Sequence, residues 1–228
     1  IHDNVTSIKQ SAFSECTSLQ YFKIPPKVTI IRDTLFYKCS SISSIDIHDN
    51  VTSIESSAFS YCTSLRYFKI PPKVTKIGYS LFNGCSNLLS IDIHDNVTSI
   101  ERSAFSDCQS LQNFTIPPKV TKIVDSLFYN CSNLLSIEIH DNVTSIGREV
   151  FASCKSLRNF TIPPKVTSIS NNLFFACSNL SSIKIHDNIS SIGSNAFNRC
   201  ISLPNFTIPP KVTNITNYLF SKCTNLSS

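Results

Sequence analysis

Residues 62–84 read Cys-Thr-Ser-Leu-Arg-Tyr-Phe-Lys-Ile-Pro-Pro-Lys-Val-Thr-Lys-Ile-Gly-Tyr-Ser-Leu-Phe-Asn-Gly. Residues 85–107 follow with Cys-Ser-Asn-Leu-Leu-Ser-Ile-Asp-Ile-His-Asp-Asn-Val-Thr-Ser-Ile-Glu-Arg-Ser-Ala-Phe-Ser-Asp. The two stretches align without a gap. The same frame runs through the chain, with a cysteine at every 23rd position from Cys16 to Cys223, ten in all. A fixed period of roughly 20–30 residues marks a stacked-repeat solenoid, and it overrides any domain count drawn from length alone. Pro-Pro-Lys in one unit alternates with His-Asp-Asn in the next, so the full period is 46 residues, or two rungs.

Within a unit the apolar positions are fixed. Leu65, Phe68 and Ile70, then Leu88, Ile91 and Ile93, end in strict alternation, the pattern of a short strand with one face buried. Each such strand is expected to pair in parallel with the strands 23 residues before and after it. A turn follows, Pro-Pro-Lys or His-Asp-Asn. Val74-Thr-x-Ile77 then reads as a second, shorter strand. Leu81-Phe82, with Cys85 three positions beyond the Phe, suits one helical or 3₁₀ turn on the convex side. A lone 23-residue rung cannot bury its apolar row. Stacked rungs can, like on like, giving columns of Phe, Ile and Cys whose stability is a sum of neighbour contacts. At about 4.8 Å per strand, ten rungs would make a body of roughly 45 Å. The expectation is a single solenoid over residues 1–228, mainly β, with a parallel sheet on its concave face. The chain opens at Ile1 in mid-rung and shows no polar capping rung at either end, so it reads as a fragment of a longer repeat protein.

Composition narrows the function classes. Apolar residues make up 41% of the chain, enough for a core, and charged residues only 15%, with a net charge of +5 and no Lys/Arg run of five. That is no nucleic-acid footprint. No stretch of about 18 apolar residues occurs, so membrane attachment would need segments outside this chain.

The unit Phe59-x-x-Cys62-x-x-Leu65-x-x-Phe68-x-Ile70-Pro71-x-x-Val74-Thr75-x-Ile77, with equivalents in most rungs, resembles the BspA-like, or Treponema pallidum-type, leucine-rich repeat. The resemblance spans the whole chain. It implies the α/β horseshoe class and a surface protein that adheres to host proteins or cells. The chain departs from that pattern by placing His-Asp-Asn where Pro is usual in alternate rungs, and by holding only four glycines.

No catalytic, cofactor or metal constellation stands out. The cysteines recur once per rung behind a buried Phe, which favours a column of unpaired thiols acting as small apolar residues. Adjacent-rung disulfides remain compatible with the spacing. His2, His48, His94, His140 and His186 recur at two-rung intervals, too far apart for one metal ion, and suit a turn role. Lys27 and its four equivalents beside Pro-Pro form a mildly basic flank.

The candidate binding surface is the concave strip. Its two rows begin Tyr21, Ser44, Tyr67, Ser90 and Lys23, Asp46, Lys69, Asp92, and continue into Asn113, Thr115, Glu138, Asn159, Thr161, Lys184 and Thr207. Sign alternates among the first four charges, as in a cross-strand ion ladder. Tyr, Ser and Asn are adaptable contact residues. Tyr21, Lys23, Asp46, Tyr67, Lys69 and Asp92 are therefore the expected partner-binding residues. Asn4, Asn50, Asn96, Asn142 and Asn188, in the exposed turns, are possible N-glycosylation acceptors. Sugar on Asn113, Asn159 or Asn205 would block the concave face. Two functions fit. One is a non-enzymatic cell-surface or extracellular recognition module for a host matrix or cell-surface protein, or a glycan. The other is a structural or intracellular interaction scaffold.

Overall fold

The computed structural model describes residues 1–227. Its described residues form a coil of rungs bearing sixteen short parallel strands and no helix. Three-residue strands such as Tyr21–Lys23, Ser44–Asp46 and Tyr67–Lys69 line one face. Two-residue strands such as Ile30–Ile31 and Ser53–Ile54 line another. The register is the repeat itself: Tyr67 pairs with Ser90, Phe68 with Ile91 and Lys69 with Asp92. The two-strand reading is thus borne out in eight rungs, from Tyr21 to Ile192, and the rungs at either end carry no strand among the described residues.

The strands do not run on as one sheet. They pair two by two, always from a Pro-Pro-Lys rung to the His-Asp-Asn rung after it, in eight separate two-stranded sheets. Ile24, Ile70, Ile116 and Ile162 donate their amides to the carbonyls of Asp46, Asp92, Glu138 and Lys184, each at 2.9 Å. Across the other step, the amides of Ile47, Ile93, Ile139 and Ile185 meet no backbone carbonyl among the described residues. One cause is in the sequence. Amides along a strand point alternately to either side. With Ile70 facing forward, the donor facing back at the next position belongs to Pro71, which has no N–H.

Side chains join what the ladder leaves open. Lys73 donates to Asn50 Oδ1 (2.9 Å) across the unpaired step, and Lys119, Lys165 and Lys211 donate to Asn96, Asn142 and Asn188 (2.8 Å each). Across the paired step, His48 and His94 donate from Nε2 to the carbonyls of Pro25 and Pro71 (3.0 Å each). The alternation of Pro-Pro-Lys with His-Asp-Asn is therefore the alternation of two clasps. The lysine row is not merely a solvated flank, and the histidines do serve the turns.

The expected helical or 3₁₀ turn is replaced by something else. Two residues four apart in each rung, such as Thr34 (φ 54°) and Lys38 (φ 56°), are left-handed, which breaks any helix. Amides then alternate in purpose. Thr34, Phe36 and Lys38 donate to Ser56, Ala58 and Ser60 of the next rung (2.8–3.0 Å), while Leu35, Tyr37 and Cys39 close turns onto Arg32, Thr34 and Phe36. The cross-rung bonds continue over both kinds of step, as in Ser57 to Tyr79 and Phe59 to Leu81. This side is the unbroken ladder of the solenoid. Gly84 (φ 73°) takes a left-handed position where a Cβ would sit 2.5 Å from the Tyr61 ring.

The core is columnar. Phe13, Phe36, Phe59 and their successors to Phe220 stack with centroids 5.6–6.0 Å apart and planes within 13°. Phe68 and its equivalents lie tilted or edge-on against two members of the column at 4.7–5.0 Å. The alternate rungs offer only half-buried Ile45, Ile91, Ile137 and Ile183 at that position, so they cover the column less fully.

All ten cysteines are unpaired; nine are buried and Cys16 is exposed. From Cys39 onward each thiol donates to the Phe carbonyl 26 residues earlier, as Cys85 does to Phe59 (3.1 Å) and Cys108 to Phe82 (3.2 Å). Phe59 O also accepts the Cys62 amide, so both its lone pairs are used. Burial pushes Cys39 up to about 11 and Cys85 and Cys177 up to about 12, which holds the column in its thiol form.

Candidate functional site

The three-residue strands expose their first and third side chains; the second is buried in the Pro-Pro-Lys rungs and half-buried in the others. This puts Tyr21 and Lys23, Ser44 and Asp46, Tyr67 and Lys69, and Ser90 and Asp92 on one outward face in the expected two rows. Tyr21 is 54% and Tyr67 64% exposed, large values for aromatic side chains.

The charge ladder is weaker than its sequence suggests. Lys23 Nζ meets Asp46 Oδ2 at 4.0 Å, with both side chains more than half exposed. Such a contact is worth roughly 0.2–1 kcal/mol. Lys69 and Asp92 share the register but form no ion pair among the described residues. In the next pair of rungs Thr115 instead donates to Glu138 (3.1 Å) and Ser136 to Asn113 (2.7 Å), so their polar side chains bond to one another.

The unpaired step between Asp46 and Lys69 opens as a cleft of about 190 Å³, lined by Asp46, Asp49, Tyr67, Lys69 and Pro71 over Ile45, Ile47 and Phe68. Three of the six expected residues converge there. Tyr21 and Lys23 flank it one rung before, and Asp92 one rung after. Comparable clefts recur at Ile137–Thr161 and at Ile183–Thr207, in both cases at the same kind of step. Sequence reasoning missed Asp49, Pro71 and the cleft itself. The available signal was the alternation of Phe with Ile at the strand centre, together with the proline that withholds a donor.

Asn50, Asn96, Asn142 and Asn188 are exposed, as is Asn4. Their Oδ1 atoms take the lysine clasps described above, and Lys27 lies 3.4 Å from Asn4 Oδ1. That leaves the side-chain nitrogen, the atom a glycan would use, uncommitted in the clasp. Among the described residues no cluster of three metal-ligating side chains occurs, and no helix is long and apolar enough to cross a membrane.

The BspA type leucine rich repeat region matches residues 1–112 and 98–227. A leucine-rich repeat protein from Bacteroides ovatus is 32% identical with a TM-score of 0.77. The match covers 86% of this chain and 51% of the other, so the chain spans about half the length of that protein. The T. pallidum leucine rich repeat protein is 30% identical over 66% of this chain and 70% of the other, with a TM-score of 0.61. A leucine rich cell surface protein from Faecalibacterium prausnitzii is 29% identical over 99% and 76%, with a TM-score of 0.59. The pneumococcal vaccine antigen PcpA, 18% identical over 96% of this chain and 57% of its own, shares the fold with a TM-score of 0.69. No curated protein sequence matches. The family model covers both halves of the chain, and the rungs, clasps and thiol column repeat through both: the chain belongs to the BspA-type leucine-rich repeat family.

Proposed function

We propose that this chain is a cell-surface or extracellular recognition module that binds a host protein through the three-residue-strand face, centred on the cleft between Asp46 and Lys69. Leucine-rich repeat proteins are in general protein-interaction modules, and BspA-type ones are in general non-enzymatic scaffolds. The observation that carries the finer reading is a break in the repeat. Tyr21, Lys23, Tyr67 and Lys69 occupy positions that later rungs fill with Asn and Thr. Two of these residues meet Asp46 and Asp49 around one cleft. An exposed Tyr over an apolar floor suits an interface anchor, and the charges of Lys69, Asp46 and Asp49 around it suit a polar rim. The surface location draws support from the Faecalibacterium relative, described as a cell surface protein.

Ten unpaired thiols would suit a reducing compartment, and with it an intracellular scaffold. Nine of them are buried and hydrogen-bonded, so thiolate chemistry is suppressed and an oxidising environment is tolerated. The test is capture of extracellular-matrix and cell-surface proteins by the chain and by its Tyr67→Asn/Lys69→Thr variant. Asn113 and Thr115 hold the equivalent positions, so the variant keeps a sequence the fold already accepts. Binding should fall about tenfold or more. Equal capture by both proteins would count against the face.

A further inference from the structure

The two-residue-strand face carries a feature that the strand-face reading leaves unused. Lys76, Arg102, Lys122 and Arg148 fall on four successive rungs, all exposed. Elsewhere in the repeat the positions of Arg102 and Arg148 hold Ser56 and Ser194. Those of Lys76 and Lys122 hold Ile30, Ser168 and Asn214. At these two positions the cations are therefore confined to two adjacent 46-residue units, Lys76 with Arg102 and Lys122 with Arg148.

They surround a hollow. An open groove of about 510 Å³ runs between Arg102, Lys122 and Arg148, floored by Ser145 and Gly147. A second hollow, of about 410 Å³, adjoins it through Glu101 and holds Lys76 and the half-exposed Tyr79. Gly147 stands where equivalent rungs carry Glu55 and Glu101, so the floor there is bare backbone. Its place is fixed by packing: a Cβ would lie 2.5 Å from Asp125 Oδ1.

The cations are not spent on ion pairs. On the same face lower in the stack, Arg32 meets Glu55 at 3.0 Å, which shows that this surface can pair its charges. None of the four central cations is within ion-pairing distance of a carboxylate among the described residues. Of the nearby acids, Asp125 Oδ1 accepts the Arg148 amide (2.8 Å), and Glu149 accepts from Asn172 and Ser126. Glu101 is the remaining acid in the groove.

We infer that this groove is a second binding surface, for a sulfated polysaccharide lying along the solenoid axis. Four cations spread over about 15 Å match a linear polyanion, not a single phosphate. The lining chooses among polyanions. Its open floor is Ser145, Gly147 and the half-buried Val124, over buried Ile123 and Ile146, so an acidic peptide finds one small apolar contact and no large residue's anchor pocket. Tyr79 is the single exposed aromatic across these rungs of the groove, too few to stack successive bases. Exposed Ser145 and Ser168 suit the hydroxyls of a sugar chain, and the cations suit its sulfates.

The test is titration with a size-defined, highly sulfated heparin-derived hexasaccharide, its desulfated counterpart and poly-glutamate. Arg102→Ser/Arg148→Ser installs the serines of the equivalent rungs. Arg66→Gln/Arg158→Gln removes the same charge elsewhere and installs the residues of Gln20 and Gln112. The first pair should weaken binding of the sulfated sugar about tenfold, and the second less than about twofold. The desulfated sugar and poly-glutamate should bind at least about tenfold more weakly. Equal losses from both pairs, equal binding of poly-glutamate, or no binding of the hexasaccharide would each overturn the assignment. None of these results bears on capture of protein partners by the Tyr67 face.

Discussion

Replacing Phe105 by Ala tests whether the stacked ring column holds the solenoid together. Phe105 is fully buried. Its ring stacks on Phe82 and Phe128, both at 5.8 Å, and tilts against Phe114 at 5.0 Å. Truncating a buried Phe costs about 3–5 kcal/mol, and a rung held on both sides cannot collapse into the void, so the upper part of that range applies. Phe220 is partly buried and stacks on one ring only, Phe197 at 5.6 Å, with Phe206 beside it at 4.8 Å. Phe220→Ala should cost roughly half as much. Urea unfolding followed by circular dichroism gives both values. Because rungs couple only to their neighbours, Phe105→Ala should also split the transition in two as the halves uncouple, while Phe220→Ala keeps one transition. A cost below about 1 kcal/mol at Phe105, or equal costs at both sites, would refute the column argument.

Three further outcomes follow from the backbone and the thiols. Ala176 is left-handed (φ 58°) with no side-chain bond to lose, so Ala176→Gly should stabilise the protein by about 0.5–1 kcal/mol, the reverse of glycine's usual effect, as chemical denaturation can measure. At pH 8, iodoacetamide should label Cys16 quickly and the buried cysteines only as fast as the rungs open, as peptide mass mapping would reveal. The buried thiols also set a pH dependence. Their folded pKa values are raised, so their stabilising contribution is whole below the unfolded value of about 8.5 and is lost as pH rises towards the folded value of about 12. Stability should hold level up to about pH 8.5 and decline above it. A Cys85→Ala/Cys177→Ala variant should show a shallower decline.

The stacking was legible because one period governs everything. A sequence that returns the same apolar residue every 23 positions leaves no other way to bury Phe59 than against Phe36 and Phe82. The outward rows were legible for the same reason, since period-two alternation around Phe68 forces Tyr67 and Lys69 to the other side. Two things were not. The segment around Phe82 looked helical because Leu81-Phe82 and Cys85 fit a helical spacing. Positive φ at Ser80 and Gly84 is a backbone choice that serine gives little sign of, and cross-rung bonds from those amides support it. The pairing of strands by twos depends on which amide faces which neighbour, a matter of phase that composition does not reveal. Pro71 held the clue, yet its effect shows only once Ile70 is known to donate forward to Asp92. The cleft at Asp46, Asp49 and Lys69 follows from that phase, so the Phe–Ile alternation and Pro71 hint at it without placing it.

The account rests on the two-rung unit: strands joined within it and parted between units, with the recognition cleft in the parting. Residue-resolved amide exchange by NMR measures this directly. Ile70, Ile116 and Ile162, whose amides donate across the paired step, should be protected, and Ile93 and Ile139, whose amides face the open step, should exchange far faster. Equal protection at Ile70, Ile93, Ile116 and Ile139 would mean one continuous sheet, and the clefts placed between its strands would be lost with it.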